Sequence, residues 1–202
     1  MKNKILITDT LLFTENMTNL NFKHVSKENL TIQDVKSLIL SENPDQDKIF
    51  LVSAGSFNIT AEGCGWDHSL IQGKNKLLND AHTMFKSSLY DLNQLRVRKG
   101  CIIKLCGLLP LPNHHDLDLC EPEKLDLCKM LSKLFCWCKK DIDKFNGGNN
   151  AVCLEKFVTK SGSKRYVTGQ HKIRRGAYKD GLPTSVTQET LKRKVLIYLD
   201  QL

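Results

Sequence analysis

The sequence predicts an α/β domain in which a mostly parallel sheet is covered by helices on both faces, which makes three layers. Short apolar runs of strand length alternate along the chain with longer stretches whose apolar residues recur at helical spacing. The 202 residues are enough for one domain with a sizeable core. Hydrophobic residues make up 41% and charged residues 26%, a composition that argues against a mostly disordered or fibrous chain. We expect one domain, residues 1–202, which forms part of a longer protein.

Five apolar runs are predicted to be strands because they are short and rich in residues that favour strands. In chain order they are residues 4–7, 22–25, 48–53, 101–106 and 152–158. The first ends in the turn-like Thr8-Asp9-Thr10, and the third is followed by the loop residues Ala54-Gly55-Ser56. Because ligands bind at the carboxyl ends of parallel strands, these loops are where chemistry would lie.

Four stretches are predicted to be helices because their apolar residues recur three or four positions apart. In chain order they are residues 31–40, 70–95, 122–139 and 185–199. Thr31 or Asn29 would cap the first of them. The second has no Gly or Pro after Gly73, and its apolar residues, such as Phe85, are expected in the core.

No stretch approaches the roughly 18 consecutive apolar residues of a transmembrane helix, and the start of the chain lacks the apolar region of a secretory signal. The eight cysteines are therefore expected to be reduced thiols of a cytoplasmic protein, since a chain of this length buries a core without disulfides. No metal or cofactor is expected, because Cys136-Trp137-Cys138 lacks the repeated C-x2-4-C spacing of structural zinc sites.

The charge excess of the chain is concentrated in one segment. The 30 Lys and Arg against 22 Asp and Glu give a formal net charge of +8, which favours polyanionic partners such as nucleic acid. Between Lys156 and Lys179 there are eight basic residues and no acidic one. Lys and Arg would hold the phosphates of single-stranded RNA and Tyr would stack on its bases, whereas the alternative is a solvated loop. The candidate RNA-binding residues are Lys160, Lys164, Arg165, Tyr166, Lys172, Arg174, Arg175, Tyr178 and Lys179, with Arg96 and Arg98 from a second basic cluster.

Three blocks at the predicted strand ends resemble those of the SGNH/GDSL hydrolase family. Ile7-Thr8-Asp9-Thr10-Leu11-Leu12 resembles the GDSL block, which follows the first strand and carries the nucleophilic serine. Val52-Ser53-Ala54-Gly55-Ser56-Phe57-Asn58 resembles a later block, in which a Gly and an Asn help to form the oxyanion hole. Tyr178-Lys179-Asp180-Gly181-Leu182-Pro183 resembles the D-x-x-H block before the last helix. The resemblance implies an SGNH-hydrolase-like, flavodoxin-like sheet with a site at these loops.

The departures from the family's pattern predict that the chain is not an enzyme. The nucleophile position holds Thr10, a stiff β-branched hydroxyl, and the position of the catalytic histidine holds Pro183, which cannot accept a proton. Asn58 and Asp180 remain, but Asp180 has no histidine to orient. The alternatives are an esterase with a rearranged site, using Thr10 or Ser56 and one of the histidines, and a protein-interaction scaffold without RNA binding.

An SGNH-like domain that is basic and lacks the triad resembles the OSK domains of the insect Oskar germ-plasm family. That resemblance implies binding of mRNA and scaffolding of ribonucleoprotein particles, with other germ-plasm proteins as further partners. It also implies a cytoplasmic location in germ plasm or perinuclear granules. Neither a membrane nor a small-molecule substrate is expected as a partner.

Overall fold

The structure, a computed structural model, describes residues 2–13, 21–66, 73–111, 121–148, 152–159, 174, 176–179 and 182–202. The strands are β1 (Asn3–Asp9), β2 (Phe22–Lys27), β3 (Lys48–Ser53), β4 (Ile102–Leu105), β5 (Tyr178–Lys179) and β6 (Leu182–Pro183). The helices are α1 (Ile32–Ser41), α2 (Ala61–Cys64), α3 (Lys74–Lys99), α4 (Glu121–Phe145), α5 (Glu155–Val158) and α6 (Ser185–Gln201). A short 3-10 turn at Phe57–Ile59 precedes α2.

The first four strands form one parallel sheet in the order β2-β1-β3-β4. At its centre Ile7 of β1 pairs with Val25 of β2 on one side and Val52 of β3 on the other. β5 and β6 form a separate antiparallel pair of two residues each. The predicted fold class, a mostly parallel α/β sheet, is confirmed.

The sheet separates two hydrophobic clusters, because successive side chains of a strand point to opposite faces. Ile5 and Ile7 of β1 lie in the cluster formed with α1, α3 and α4, whereas Leu6 between them lies in the cluster formed with α6. Phe50 and Leu51 of β3 divide in the same way. Helices therefore cover both faces, as the predicted three layers require.

Helix α1 begins where its sequence predicts. The hydroxyl of the N-cap residue Thr31 accepts from the Asp34 backbone N–H, and the Asp34 carboxylate accepts from the Thr31 N–H, which forms a capping box. Asn29 lies outside the helix at a φ of +50°. Of the two predicted caps, Thr31 is therefore the one that the chain uses.

The prediction of a strand at residues 152–158 is wrong. Residues 155–158 form the single helical turn α5. The Val152 carbonyl accepts from the N–H of Gly107, which follows β4, at 2.7 Å. The neighbouring edge position, Leu105 of β4, is bonded instead by the side chain of Asn146, which accepts from the Leu105 N–H and donates to its carbonyl. A carboxamide thus occupies the place where a fifth strand would have paired.

Six cysteines lie in the described part of the chain, and none of the six forms a disulfide. Burial raises the pKa of the Cys64 and Cys106 thiols to about 12 and also raises that of Cys138. These thiols stay protonated at neutral pH and act as packing groups.

In the described part of the chain, no helix is long and apolar enough to cross a membrane. Among the same described residues, no group of His, Cys, Asp and Glu has the arrangement of a metal site.

Candidate functional site

The loops that follow β1 and β3 lie at the same edge of the sheet, because the two strands are parallel neighbours. Thr10 directly follows β1, and Gly55 and Asn58 follow β3. The structure therefore brings together the sequence blocks that carry the nucleophile and oxyanion-hole positions in SGNH hydrolases. What these residues do there is decided by their hydrogen bonds.

Asp9 uses its carboxylate to tie two loops together at this edge. It is 4% exposed, and its two oxygens accept from the backbone N–H groups of Leu11 at 2.9 Å and Leu30 at 2.8 Å. Burial raises the pKa of Asp9, although the two backbone bonds act in the opposite direction. The next residue, Thr10, donates its backbone N–H to the Lys27 carbonyl at 3.2 Å.

The two residues at the oxyanion-hole positions have their donors engaged within the protein. Gly55 donates its backbone N–H to the Leu30 carbonyl at 3.1 Å. The Asn58 side chain accepts from the Ile32 N–H at 2.8 Å and donates its amide to the Gln33 side chain at 2.7 Å. These bonds hold the start of α1 against the loop after β3. Each residue therefore has a donor of the kind that stabilises an oxyanion engaged in a bond within the protein.

Gly55 is a position that only glycine fits. Its φ of +91° lies in a region that other residues rarely adopt. A Cβ at this position would also stand 3.2 Å from a ring carbon of Phe85 and 3.3 Å from a methyl carbon of Leu108. Backbone conformation and packing are therefore enough to explain why this position holds a glycine.

Neither of the histidines in the described part of the chain serves a hydroxyl that could act as nucleophile. His24 bonds through Nε2 to the hydroxyl of the fully buried Thr8 at 2.8 Å, and burial, followed by the charge of Lys192, lowers its pKa. His82 bonds to the Asp141 carboxylate at 2.6 Å on the other side of the molecule, between α3 and α4. The hydroxyl of Ser56 accepts from the Leu109 N–H at 2.9 Å.

The residue at the catalytic-histidine position, Pro183, is buried in β6 and pairs with Tyr178. It can supply no proton acceptor from its side chain. Asp180 and the histidines at 68, 114, 115 and 171 lie outside the described residues. The rearranged esterase site with Thr10 or Ser56 has no histidine base among the residues that the structure describes.

The basic segment, defined here as residues 156–179, begins and ends at one place on the domain. Arg174 donates its backbone N–H to the Val158 carbonyl at 2.8 Å, and its side chain donates to the carbonyls of Thr159 and Lys156. The two ends of the stretch 160–173 are therefore held next to each other. Arg174 is exposed, and its guanidinium is held in position by the two bonds to these carbonyls.

Tyr178 and Lys179, two predicted RNA-binding residues, differ in their exposure to solvent. Tyr178 donates its hydroxyl to the Pro110 carbonyl and its ring packs against the cluster beneath α6, where burial raises its pKa. The ring is thus engaged in packing, which weakens its prediction as a stacking residue. Lys179 is exposed. The remaining candidates of the segment, which lie outside the described residues, are Lys160, Lys164, Arg165, Tyr166, Lys172 and Arg175.

Arg96 and Arg98, the candidates from the second basic cluster, lie at the end of α3. They occupy the last turn of α3, which directly precedes β4 and so lies towards the amino edge of the parallel sheet. Arg96 donates to the Phe145 carbonyl and the Asn93 side chain, and its guanidinium lies 4.7 Å from the centroid of the Phe145 ring. Arg98 is exposed.

Comparisons with known proteins support the fold. No family model and no curated protein matches the sequence. Phospholipase A1 from Streptomyces albidoflavus superposes with a TM-score of 0.50 at 11% identity, over 97% of this chain and 98% of that one. The acetyl xylan esterase Axe2 from Geobacillus stearothermophilus superposes with a TM-score of 0.52 at 12% identity, over 98% of this chain and 94% of that one. The chain therefore has an SGNH hydrolase-like fold, a three-layer α/β arrangement that it shares with these esterases.

Proposed function

We propose that the chain is a non-catalytic RNA-binding domain built on the SGNH hydrolase-like fold. The observation that carries this proposal is the distribution of charge. The basic segment holds eight of the 30 Lys and Arg and none of the 22 Asp and Glu, so the rest of the chain contains equal numbers of both. The whole formal charge of +8 therefore belongs to 24 consecutive residues. A cluster of basic residues on a domain without other net charge is typical of a surface that binds the phosphate backbone of a nucleic acid.

The way the segment is attached supports the same function. Because Arg174 is bonded to Val158 and Thr159, the stretch between them leaves and rejoins the domain at one point. Its lysines and arginines release counterions when they contact phosphates, and Tyr166 adds an aromatic face for a base. Lys164, Arg165, Lys172 and Arg175 are the cations that we assign to phosphate binding.

The absence of catalysis in this proposal follows from the hydrogen bonds at the sheet edge. A hydrolase needs a nucleophile beside a base and donors directed at the developing oxyanion. Here Pro183 lies where the family has its histidine, the Gly55 N–H is bonded to Leu30, and the Asn58 amide donates to Gln33. We therefore assign Asp9, Gly55 and Asn58 a structural role at the end of β1 and the start of α1.

The resemblance to OSK domains adds a cellular role to the proposal. Under it, the RNA is an mRNA, and the domain scaffolds germ-plasm ribonucleoprotein particles together with other proteins. This role is a prediction from the sequence blocks and the basic character of the chain.

Charge reversal within the basic segment tests the proposal. We expect Lys164→Glu/Arg165→Glu to weaken binding to a fluorescein-labelled single-stranded RNA of about 20 nucleotides, measured by fluorescence anisotropy. Because two phosphate contacts are lost, the slope of log K against log salt should also fall by roughly 1.4. The matched control, Lys2→Glu/Lys76→Glu, makes the same charge change at two exposed lysines outside the segment. Equal loss of affinity in both double variants would contradict the assignment.

A further inference from the structure

A second candidate surface lies in a groove between the later turns of α3 and the end of α4. The groove is open to solvent and has a volume of about 270 Å³. Its floor is formed by Leu89, which is 6% exposed. The polar and aromatic side chains around it are Lys86, Tyr90, Asn93 and Arg96 from α3 and Asp141, Lys144 and Phe145 from α4.

The groove carries an exposed aromatic ring. Tyr90 is 64% exposed although it belongs to a helix whose opposite side is fully packed. It lies between Lys86 and Arg96, which are about 15 Å apart along the helix axis at 1.5 Å per residue. A flat ring between two cations is the combination that holds a base and the phosphates on either side of it.

One of the cations is held in place before any ligand arrives. The guanidinium of Arg96 lies over the Phe145 ring and donates to the Phe145 carbonyl and the Asn93 side chain. A fixed cation loses little side-chain entropy when it contacts a phosphate. Arg96 is thus a preorganised part of the groove.

The net charge of the groove is positive. Lys86 and Lys144 are exposed, and neither makes a salt bridge within the described part of the chain. The acidic residue on the wall, Asp141, is engaged by His82 at 2.6 Å. The lining of the groove thus holds three cations, Lys86, Arg96 and Lys144, against the one carboxylate of Asp141.

We propose that this groove is a second contact surface for single-stranded RNA, in which Tyr90 stacks on a base and Lys86, Arg96 and Lys144 hold phosphates. The inference rests on the proposed function and extends it to a groove that contains Arg96, which was predicted from the sequence, together with residues that were not. The groove lies on the face of the sheet covered by α3 and α4, whereas Val158 and Ala177, two described residues of the basic segment, pack on the other face.

Two variants test the aromatic and the ionic parts of the groove separately. Tyr90→Ala removes the ring and should weaken RNA binding about fivefold or more, whereas Tyr90→Phe keeps the stacking face and should bind like wild type. Lys86→Glu/Lys144→Glu should weaken binding and lower the salt slope by roughly 1.4 relative to the control Lys2→Glu/Lys76→Glu. These positions are exposed, so circular dichroism should show an unchanged fold.

The outcomes distinguish the groove from the proposed function as a whole. If wild type binds RNA and the groove variants bind it equally well, the groove is not an RNA surface, while the basic segment remains one. If wild type binds no RNA at all, the proposed function fails and the groove proposal fails with it. Oligoglutamate serves as an acidic-peptide probe: if it binds as tightly as RNA and Tyr90→Ala binds RNA like wild type, the groove is a site for acidic peptides and the inference is overturned.

Discussion

Single hydrogen bonds decide what the edge of the sheet can do. Asp9 fastens the loop after β1 to Leu30, and the Leu30 carbonyl in turn receives the N–H of Gly55. The Asn58 side chain accepts from the Ile32 N–H and so caps the first turn of α1. Residues that the sequence placed at one edge therefore do meet there, and their hydrogen bonds hold the edge together.

Restoring the two missing catalytic residues should not restore hydrolysis. In Thr10→Ser/Pro183→His the donors of Gly55 and Asn58 still bond within the protein, so a tetrahedral intermediate gains no stabilisation from them. We expect turnover of p-nitrophenyl acetate no faster than that of wild type, measured by release of nitrophenolate. Rapid turnover by the double variant would mean that these donors are available.

The buried carboxyl of Asp9 should make stability depend on pH. Burial raises its pKa above the unfolded value, so its contribution to stability is full below the unfolded pKa and is lost as the pH rises through the folded pKa. Asp9→Asn cannot titrate, and its amide cannot accept both backbone bonds. The free energy of unfolding lost in Asp9→Asn, measured with urea, should be larger at about pH 4 than at about pH 7. A larger loss at the higher pH would contradict the raised pKa.

At the scale of elements, regular patterns predicted most of the sheet and its helices. The strand predicted at 48–53 and the helices around Val35, Phe85 and Leu191 occur because apolar spacing directly reports which face is buried. The segment 152–158 has an apolar composition that suits a strand, but pairing depends on a free sheet edge. Asn146 occupies that edge, and a side-chain bond to backbone 41 positions away leaves no pattern in the sequence.

Removing the Asn146 side chain should destabilise the fold at this edge. Asn146→Ala leaves the buried N–H and carbonyl of Leu105 without partners, which should lower the free energy of unfolding by about 2 to 4 kcal/mol. Urea denaturation followed by circular dichroism measures the loss. Asn79→Ala, at an exposed position of α3, should change stability by no more than about 0.5 kcal/mol. Equal effects of the two substitutions would show that the edge bond is unimportant.

The candidate binding residues were less predictable than the fold. The sequence shows that the cations at 156–179 are clustered, because they are neighbours in the chain. It does not show that the Arg174 side chain closes the segment, or that Tyr90 stands beside Lys144 of another helix. The basic cluster that contains Arg96 was the signal in the sequence for this part of the surface.

For the whole molecule, the central feature is a neutral α/β body with its entire net charge in one segment. Such an arrangement concentrates positive potential where the segment joins the domain and attracts polyanions to that side. The groove between α3 and α4 adds a smaller positive surface on the opposite face. These two surfaces are the ones to which we assign the proposed binding of RNA.

The affinity of the wild-type chain for single-stranded RNA at a series of salt concentrations tests this account most directly. If the basic segment neutralises several phosphates, the association constant should fall about tenfold or more between roughly 50 and 200 mM KCl, with a linear relation between log K and log salt. Absence of binding at the lowest salt concentration, or an affinity that does not change with salt, would contradict the proposal that this is an RNA-binding domain.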